Sequence, residues 1–572
     1  MRTELRFVMA IALMMGVLVL TNILFPPIVP EEPLPQEPVA EDARPDGAGP
    51  EDGTPTPAEV LPPSLPSTLG ATDSVPEEDD PSGTEVPEQL VRVATPLYEM
   101  EMSSRGAVVR SVRLSEYESF VRDGAAELVE DPSTGMLGTR IIVAGDTVDL
   151  TGFVYTVTPP GDLTVTEGGG PRSRTFRYDH PEGRFFHEIR HTYYADRYII
   201  DVDGSLPPLE RAALFVDLGP GLAYNEVDQT GEGRMAAYAG NEAQGGIQSR
   251  LMSRVDEPEV MEGPLLWGAS KSKFFVAAVL PGTQASPGEP LAGIWAEPAG
   301  EDRARVQVAA QIQAGGQYAY RAYLGPIERT RLMAAGDDLH EVNPYGWSFL
   351  RPIIRPFVGV ILWVLNFLHD QLLIGYGWVL IIFAVLMRAL LWPLNQKAMR
   401  AQLRNMAVQP LLQEIQAKYK NEPEKLQKEM TKLWKEHGFN PLAGCLPLLI
   451  PYPVLIALFF VFQNTIELRG QSFLWLPDLS APDPLYLLPL LMGLSMFLLQ
   501  YISFRSMDQV NPQMKMMMWM MPIMMMFIFF RFASGLNLYY AAVNVATLPQ
   551  QYWIAGERKK VRLAGPPKKK KT

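Results

Sequence analysis

Five apolar runs crowd the last third of the chain: Leu373–Leu394, Leu442–Phe462, Leu485–Phe504, Met516–Phe532 and Leu538–Ile554. Each approaches the roughly 20 residues that cross a bilayer as a helix. In hydrocarbon every backbone N–H and C=O must find a partner inside the chain, so such runs fold as packed helices. A sixth run, Phe7–Phe25, follows Arg2 and Arg6. A cleaved signal peptide needs small residues just after its apolar part, and "TNILFPPIVP" offers none. Residues 1–25 therefore read as an uncleaved anchor.

"PFVGVILWVLNFLHD" is apolar but carries Asn366, His369 and Asp370. Its clean part is too short to span, so 353–370 is expected to lie in the membrane interface. The total is then six spans, five of them in the 371–555 core. An even number places both termini on one side. Arg2 and Arg6 at one end and "ERKKVRLAGPPKKKKT" at the other agree that this side is cytoplasmic. Residues 556–572 are a basic cytoplasmic tail.

Charge is segregated along the chain. The formal net charge is −14, yet the loop between the second and third spans is basic. It carries Arg400, Arg404, Lys418, Lys420, Lys425 and Lys428. Within it Leu411, Ile415 and Tyr419, then Leu426, Met430 and Trp434, recur at helical spacing. Residues 397–437 are thus a helical hairpin with basic outer faces. It either rests on anionic headgroups or docks a partner.

Residues 26–90 are rich in proline and carboxylates and poor in aromatics. They cannot bury enough apolar surface to fold, and read as an extended linker. Residues 91–340 are a large β domain of sandwich type. Short β-branched and aromatic runs such as "RYIIDVDGSL", "KFFVAAVLP" and "QYAYRAYLG" are punctuated by Gly, Pro and Asp. The single cysteine, Cys445, excludes an intramolecular disulfide, so this domain is held by its core.

"HEIRH", His187–His191, matches a zinc-protease pattern that requires a helix. Its surroundings, "GRFFHEIRHTYYADRYIIDVDG", read as a β-hairpin instead. Residues four apart on a strand are roughly 13 Å apart, too far to ligate one zinc. No metal site and no cofactor is expected, and there is no Walker A pattern to bind ATP.

Polar groups inside the spans are costly and usually functional. Arg388 sits within "LIIFAVLMRALLWPL" and has no acidic residue in a neighbouring span. Asn537, Tyr540, Asn544, Thr547 and Gln551 are spaced 3, 4, 3, 4, one face of the last helix. Asn395, Gln396, Ser495, Gln500 and Ser503 add polar groups toward the cytoplasmic ends. These groups either glue the bundle by interhelical hydrogen bonds or line a wet cavity around Arg388. Arg388 could also snorkel to headgroups beside Trp392. "QMKMMMWMMPIMMMF" holds nine methionines, which suit a surface meeting varied apolar partners or plain lipid. Met517, Met520, Met521 and Met524 are the candidate sliding positions. The spans hold no histidine and no paired carboxylates, which argues against a membrane hydrolase. They show no clear repeat, which argues against a transporter.

Four stretches resemble the YidC family of membrane protein insertases in its Gram-negative form. They are "LMRALLWPLNQKAM", "FNPLAGCLPLLIPYPVLIALFF", "IELRGQSFLWLPDLSAPDPLYLLPLLMG" and "SGLNLYYAAVNVATLPQQ". The resemblance implies a non-enzymatic insertase and chaperone of the cell inner membrane, acting alone or beside SecYEG and SecDF. Its partners would be nascent membrane proteins, the ribosome and signal recognition machinery, and anionic lipids. No specific nucleic acid is implied, and the chain is expected to be a monomer. The resemblance further implies a five-span insertase core with a hydrophilic groove open to cytoplasm and lipid. Arg388 would be the groove arginine and Tyr539 and Tyr540 the tyrosine pair that meets substrate. The β domain would be a periplasmic supersandwich. Pro451, Pro549 and Arg531 depart from the family pattern, and Pro549 should bend the last helix.

Overall fold

The computed structural model describes residues 87–143, 146–183, 185–209, 212–283, 285–286, 288–343, 345, 351–393, 396, 415, 418–419, 422, 424–429, 432, 452–505 and 512–564. The expected anchor 1–25, nearly all of the linker 26–90, the first half of the 442–462 run and most of the basic hairpin lie outside these residues.

The β domain is two sheets. A five-stranded sheet is built on the meander Leu90–Ala94, Tyr98–Ser103 and Val109–Glu118. A fourteen-stranded sheet faces it across one continuous core. Period-two burial shows why. In Phe186–Tyr193 residues His187, Ile189, His191 and Tyr193 are buried, while Arg190 is exposed. That strand pairs with Ile199–Ser205 in register His191↔Val202, so "HEIRH" lies on a hairpin strand as expected. His187 sits between two phenols, Nδ1 2.7 Å from the Tyr155 hydroxyl and Nε2 2.6 Å from the Tyr318 hydroxyl. His191 packs edge-on against Phe176. Both are core histidines on the same buried face of the strand: His187 is hydrogen-bonded through both ring nitrogens, whereas His191 is held by ring packing.

Among the described residues six longer helices follow: α1 (Arg351–Leu372), α2 (Tyr376–Pro393), α3 (Tyr452–Asn464), α4 (Leu487–Arg505), α5 (Pro512–Phe529) and α6 (Ser534–Ala564). Among the described residues, α1, α2 and α4 are long and apolar enough to cross a membrane. Pro453–Asn464 and Met518–Phe529 are shorter apolar stretches.

Two features differ from the sequence expectation. The first is α1, one continuous helix of 22 residues, about 33 Å long. Its polar residues do not shorten it. His369 Nδ1 bonds to the Ile374 carbonyl at 2.8 Å and Asn366 accepts from the Tyr376 hydroxyl at 3.3 Å. They fix the turn into α2. One face of α1 (Ile354, Val358, Ile361, Leu365) is buried, and Phe357, Val360, Trp363 and Phe367 are exposed. The second is α6, which does not stop with the apolar run at Ile554 but continues through Ala564. The added residues include Glu557, Arg558, Lys559 and Lys560, good helix formers with no proline among them. The helix also runs unbroken through Pro549.

The loop between α3 and α4 joins the two regions. Ile466 belongs to the β-domain core, whereas Leu468, Phe473, Leu476 and Leu479 belong to the helical core. Arg469 bridges them. Its Nε donates to Glu226 at 2.6 Å and an Nη2 donates to the Glu118 carbonyl at 2.7 Å. Its guanidinium lies over the rings of Phe120 and Phe275. Burial pushes the Glu226 carboxyl up, and Arg469 opposes that rise. Lys273 Nζ donates to the Ser480 carbonyl at 3.1 Å. The same loop tethers α6, because Ser534 N and Gly535 N donate to Ala481 and Leu479. Asp483 closes the loop by accepting from the Leu485 and Leu488 amides and capping the start of α4.

Candidate functional site

The candidate site forms where α6 meets α2 and α4. Helix α2 carries Arg388 and α6 carries Gln550, whose Oε1 accepts from Arg388 Nη2. Gln550 is 0% exposed, and Arg388 is half-buried. Arg388 makes no ion pair among the described residues. The stretches 376–393, 452–464, 487–505, 512–529 and 534–556 contain no Asp or Glu to supply one. Arg388 Nε and Gln550 Nε2 are buried without an acceptor among the described residues. A guanidinium held in this way keeps its charge and has donors to spare.

The predicted polar stripe of α6 divides among several tasks. Asn544 Nδ2 donates to Ser495 Oγ at 3.0 Å, tying α6 to α4. Ser495 in turn donates to the Met492 carbonyl at 2.7 Å. Asn537 is fully buried and donates to the Phe529 carbonyl at 3.0 Å, closing the end of α5. Thr547 back-bonds to the Val543 carbonyl of its own helix at 2.6 Å. Gln551 is half-buried, one residue from the Gln550 that meets the arginine. Interhelical and intrahelical bonding therefore engages Asn537, Asn544 and Thr547.

The two tyrosines face different surroundings. Tyr539 is buried, with ring centroids 5.9 Å from Phe383 and 5.3 Å from Phe462. Tyr540 is less buried and packs edge-on against Phe529 at 5.5 Å. Gln396 and Gln500 are half-buried, and Asn395 lies outside the described residues. On α5, Met521 and Met524 are exposed and Met520 is half-buried, beside exposed Trp519, Ile523 and Phe527. The Met517 side chain lies outside the description. Lys418, Lys425 and Lys428 are exposed, whereas Arg400, Arg404 and Lys420 are outside the described residues.

Sequence reasoning missed Gln550. A signal was available: it follows Thr547 by three residues, as Gln551 follows it by four, so both are helical neighbours of the stripe. Choosing Gln551 extended the 3, 4 rhythm, but the facing position of α2 engages Gln550.

Apolar helices, three of them long enough to cross a membrane among the described residues, joined to a large β domain define a multi-pass membrane protein. Residues 90–360 match the family described as YidC periplasmic domain, and residues 367–561 match that described as 60Kd inner membrane protein. The membrane protein insertase YidC of Chlorobaculum parvum is 34% identical over 503 residues, covering 82% of each chain. That of Prosthecochloris aestuarii is 32% identical over 499 residues, again with 82% of each chain covered. That of Syntrophus aciditrophicus is 29% identical over 488 residues, 82% of this chain and 86% of its own. Among solved structures, an active YidC insertase with its first transmembrane domain resolved shares 19% identity, over 80% of this chain and 91% of that one, at a TM-score of 0.33. A galactose mutarotase-like protein from Lactobacillus casei shares 10% identity, over 42% of this chain and 100% of that one, at a TM-score of 0.28. The chain belongs to the YidC family of membrane protein insertases, which are not enzymes, and its β domain is periplasmic.

Proposed function

We propose that this insertase shelters the translocating tail of a newly made membrane protein in a polar groove around Arg388, open to the cytoplasm and to lipid. The observation that carries the reading is the half-buried guanidinium of Arg388, held by a neutral amide and, among the described residues, by no carboxylate. A polar, charged recess partway through the bilayer lowers the cost of moving a hydrophilic tail across hydrocarbon. The following apolar segment, of about 20 residues, then gains by partitioning into lipid, and this supplies the drive without ATP. Exposed Met521 and Met524 on α5 suit a surface along which varied apolar segments slide. Tyr540 is the better placed of the tyrosine pair to meet substrate, because Tyr539 is enclosed by Phe383 and Phe462.

Around this groove we place six spans, with both termini in the cytoplasm and the whole in the cell inner membrane. The amphipathic burial of α1, with Phe357, Trp363 and Phe367 exposed, suits a helix lying in the outer interface. Exposed Lys418, Lys425 and Lys428 suit a hairpin that meets anionic headgroups or the translation machinery. SecYEG and SecDF are the translocon components the resemblance implies as partners of a monomeric insertase.

The test is insertion of single-span substrates into liposomes carrying the purified protein. Arg388→Ala is expected to lose insertion of substrates with acidic tails, and Arg388→Lys to keep much of it. Full insertion of every substrate by Arg388→Ala would refute the role of the charge.

A further inference from the structure

Arg388 is the charge of the groove, but its orientation is set by another residue. We propose that Gln550 positions the Arg388 guanidinium and, with it, forms a two-residue donor site for the oxygen atoms of a substrate's acidic tail. This deepens the groove reading above and rests on it.

Three observations on the two side chains support the assignment. Gln550 is fully buried on a helix whose exposed neighbours Tyr552 and Trp553 face outward, so its amide is enclosed by the helical core. Its Oε1 accepts from Arg388 Nη2, which anchors one corner of the guanidinium plane. Arg388 Nε and Gln550 Nε2 are both buried donors without an acceptor among the described residues. A buried donor carries its full desolvation cost until an acceptor arrives. An oxygen that reaches these donors, a tail carboxylate above all, relieves that cost and meets a full positive charge.

The choice of amide over carboxylate is the informative part. A glutamate at 550 would hold the guanidinium equally well and could do so through two parallel hydrogen bonds. It would also neutralise the arginine and remove its attraction for an acidic tail. Glutamine gives an acceptor without charge, so position and charge are retained together. An apolar residue of similar length would leave the charge and remove the anchor.

The experiment uses the full-length protein in liposomes and one single-span substrate in two forms. One form has an acidic tail, and the other has each Asp and Glu of the tail replaced by its amide. The reading is the ratio of acidic to neutral insertion, normalised to the amount of each variant in the vesicles. Gln550→Glu is expected to lower the ratio roughly tenfold, the worth of one hydrogen bond to a charged group. Gln550→Met is expected to lower the ratio too, by loss of orientation, and Gln550→Asn to restore part of it. Arg388→Ala serves as the reference for loss of the charge itself. If Arg388→Ala lowers the ratio while Gln550→Glu and Gln550→Met both keep it, the positioning role is overturned and the groove stands. If Arg388→Ala also keeps it, the groove reading fails, and the role of Gln550 with it.

Discussion

Replacing Arg469 by alanine should detach the periplasmic domain from the membrane core. The side chain is 3% exposed and its partner Glu226 is 8% exposed, so neither charge has water to fall back on. Removal strands Glu226 and frees the Glu118 carbonyl at 2.7 Å, while the rings of Phe120 and Phe275 lose their cation. Breaking a buried pair from one side costs about 3–5 kcal/mol. The loop holding Arg469 is the piece that must loosen, because it straddles both cores and tethers α6 through Ala481 and Leu479. Hydrogen exchange of the loop amides reads this opening directly. If opening limits exchange, amides such as Leu479, bonded to the Gln471 carbonyl, should exchange about a hundred to a few thousand times faster in Arg469→Ala. The double variant Arg469→Met with Glu226→Met removes both charges and should return exchange to within about tenfold of the unaltered protein. A change below about threefold in Arg469→Ala, or a double variant as fast as the single one, would refute the reasoning.

Acidification should weaken the β domain, and Glu232 should soften the effect. Burial holds His187 at about 3 and His191 at about 4. Their folded values lie below the ordinary value near 6.5, so their contribution is full above that pH and is lost as pH falls toward 4. Burial, with Glu226 nearby, pushes the Glu232 carboxyl up to about 7. Its contribution has the opposite sign, present below about pH 4.5 and lost as pH rises to 7. Glu232→Gln should therefore steepen the loss of stability between pH 6.5 and 4.5 by about 1.4 kcal/mol per unit, measured by denaturant unfolding; an unchanged slope contradicts the assignment. A Cβ at Gly377 would lie 2.1 Å from the Phe473 ring. Gly377→Ala should thus displace the loop between α3 and α4 and destabilise the protein by roughly 1–3 kcal/mol, seen as a lower thermal midpoint. Asn544→Ala deletes the α6–α4 bridge to Ser495 and should cost about 0.6 kcal/mol in stability. A much larger loss of insertion than of stability would mean that Asn544 meets substrate.

Legibility from sequence followed the strength of the periodic signal. The β domain was readable because buried and exposed positions alternate, as in Phe186–Tyr193, and its aromatic runs leave little doubt of a strand. That context was enough to set aside the zinc motif. The helical core was readable because apolar runs in lipid have one backbone solution. Helix ends were less so. The apolar signal stops at Ile554, but helix formation depends on backbone propensity, which continues to Ala564. For α1, Asn366 and His369 looked like polar interruptions because their partners, Tyr376 and Ile374, belong to the next turn of chain. The candidate site was legible as Arg388, a charge with no Asp or Glu in the neighbouring apolar runs. Which glutamine met it was not, since adjacent residues 550 and 551 fit the stripe almost equally and only the position of α2 selects between them. Arg469 gave no sequence signal at all. Its partners Glu226, Glu118 and Phe120 lie more than two hundred residues away, beyond the reach of any local pattern.

The central claim is that a translocating segment passes beside Arg388. Photocrosslinking from positions 388, 517 and 540 to a ribosome-stalled single-span membrane protein tests it most directly. Adducts are expected from 388 to the hydrophilic tail, and from 517 and 540 to the apolar segment that follows. Adducts to lipid or to neighbouring helices alone at all three positions would contradict it.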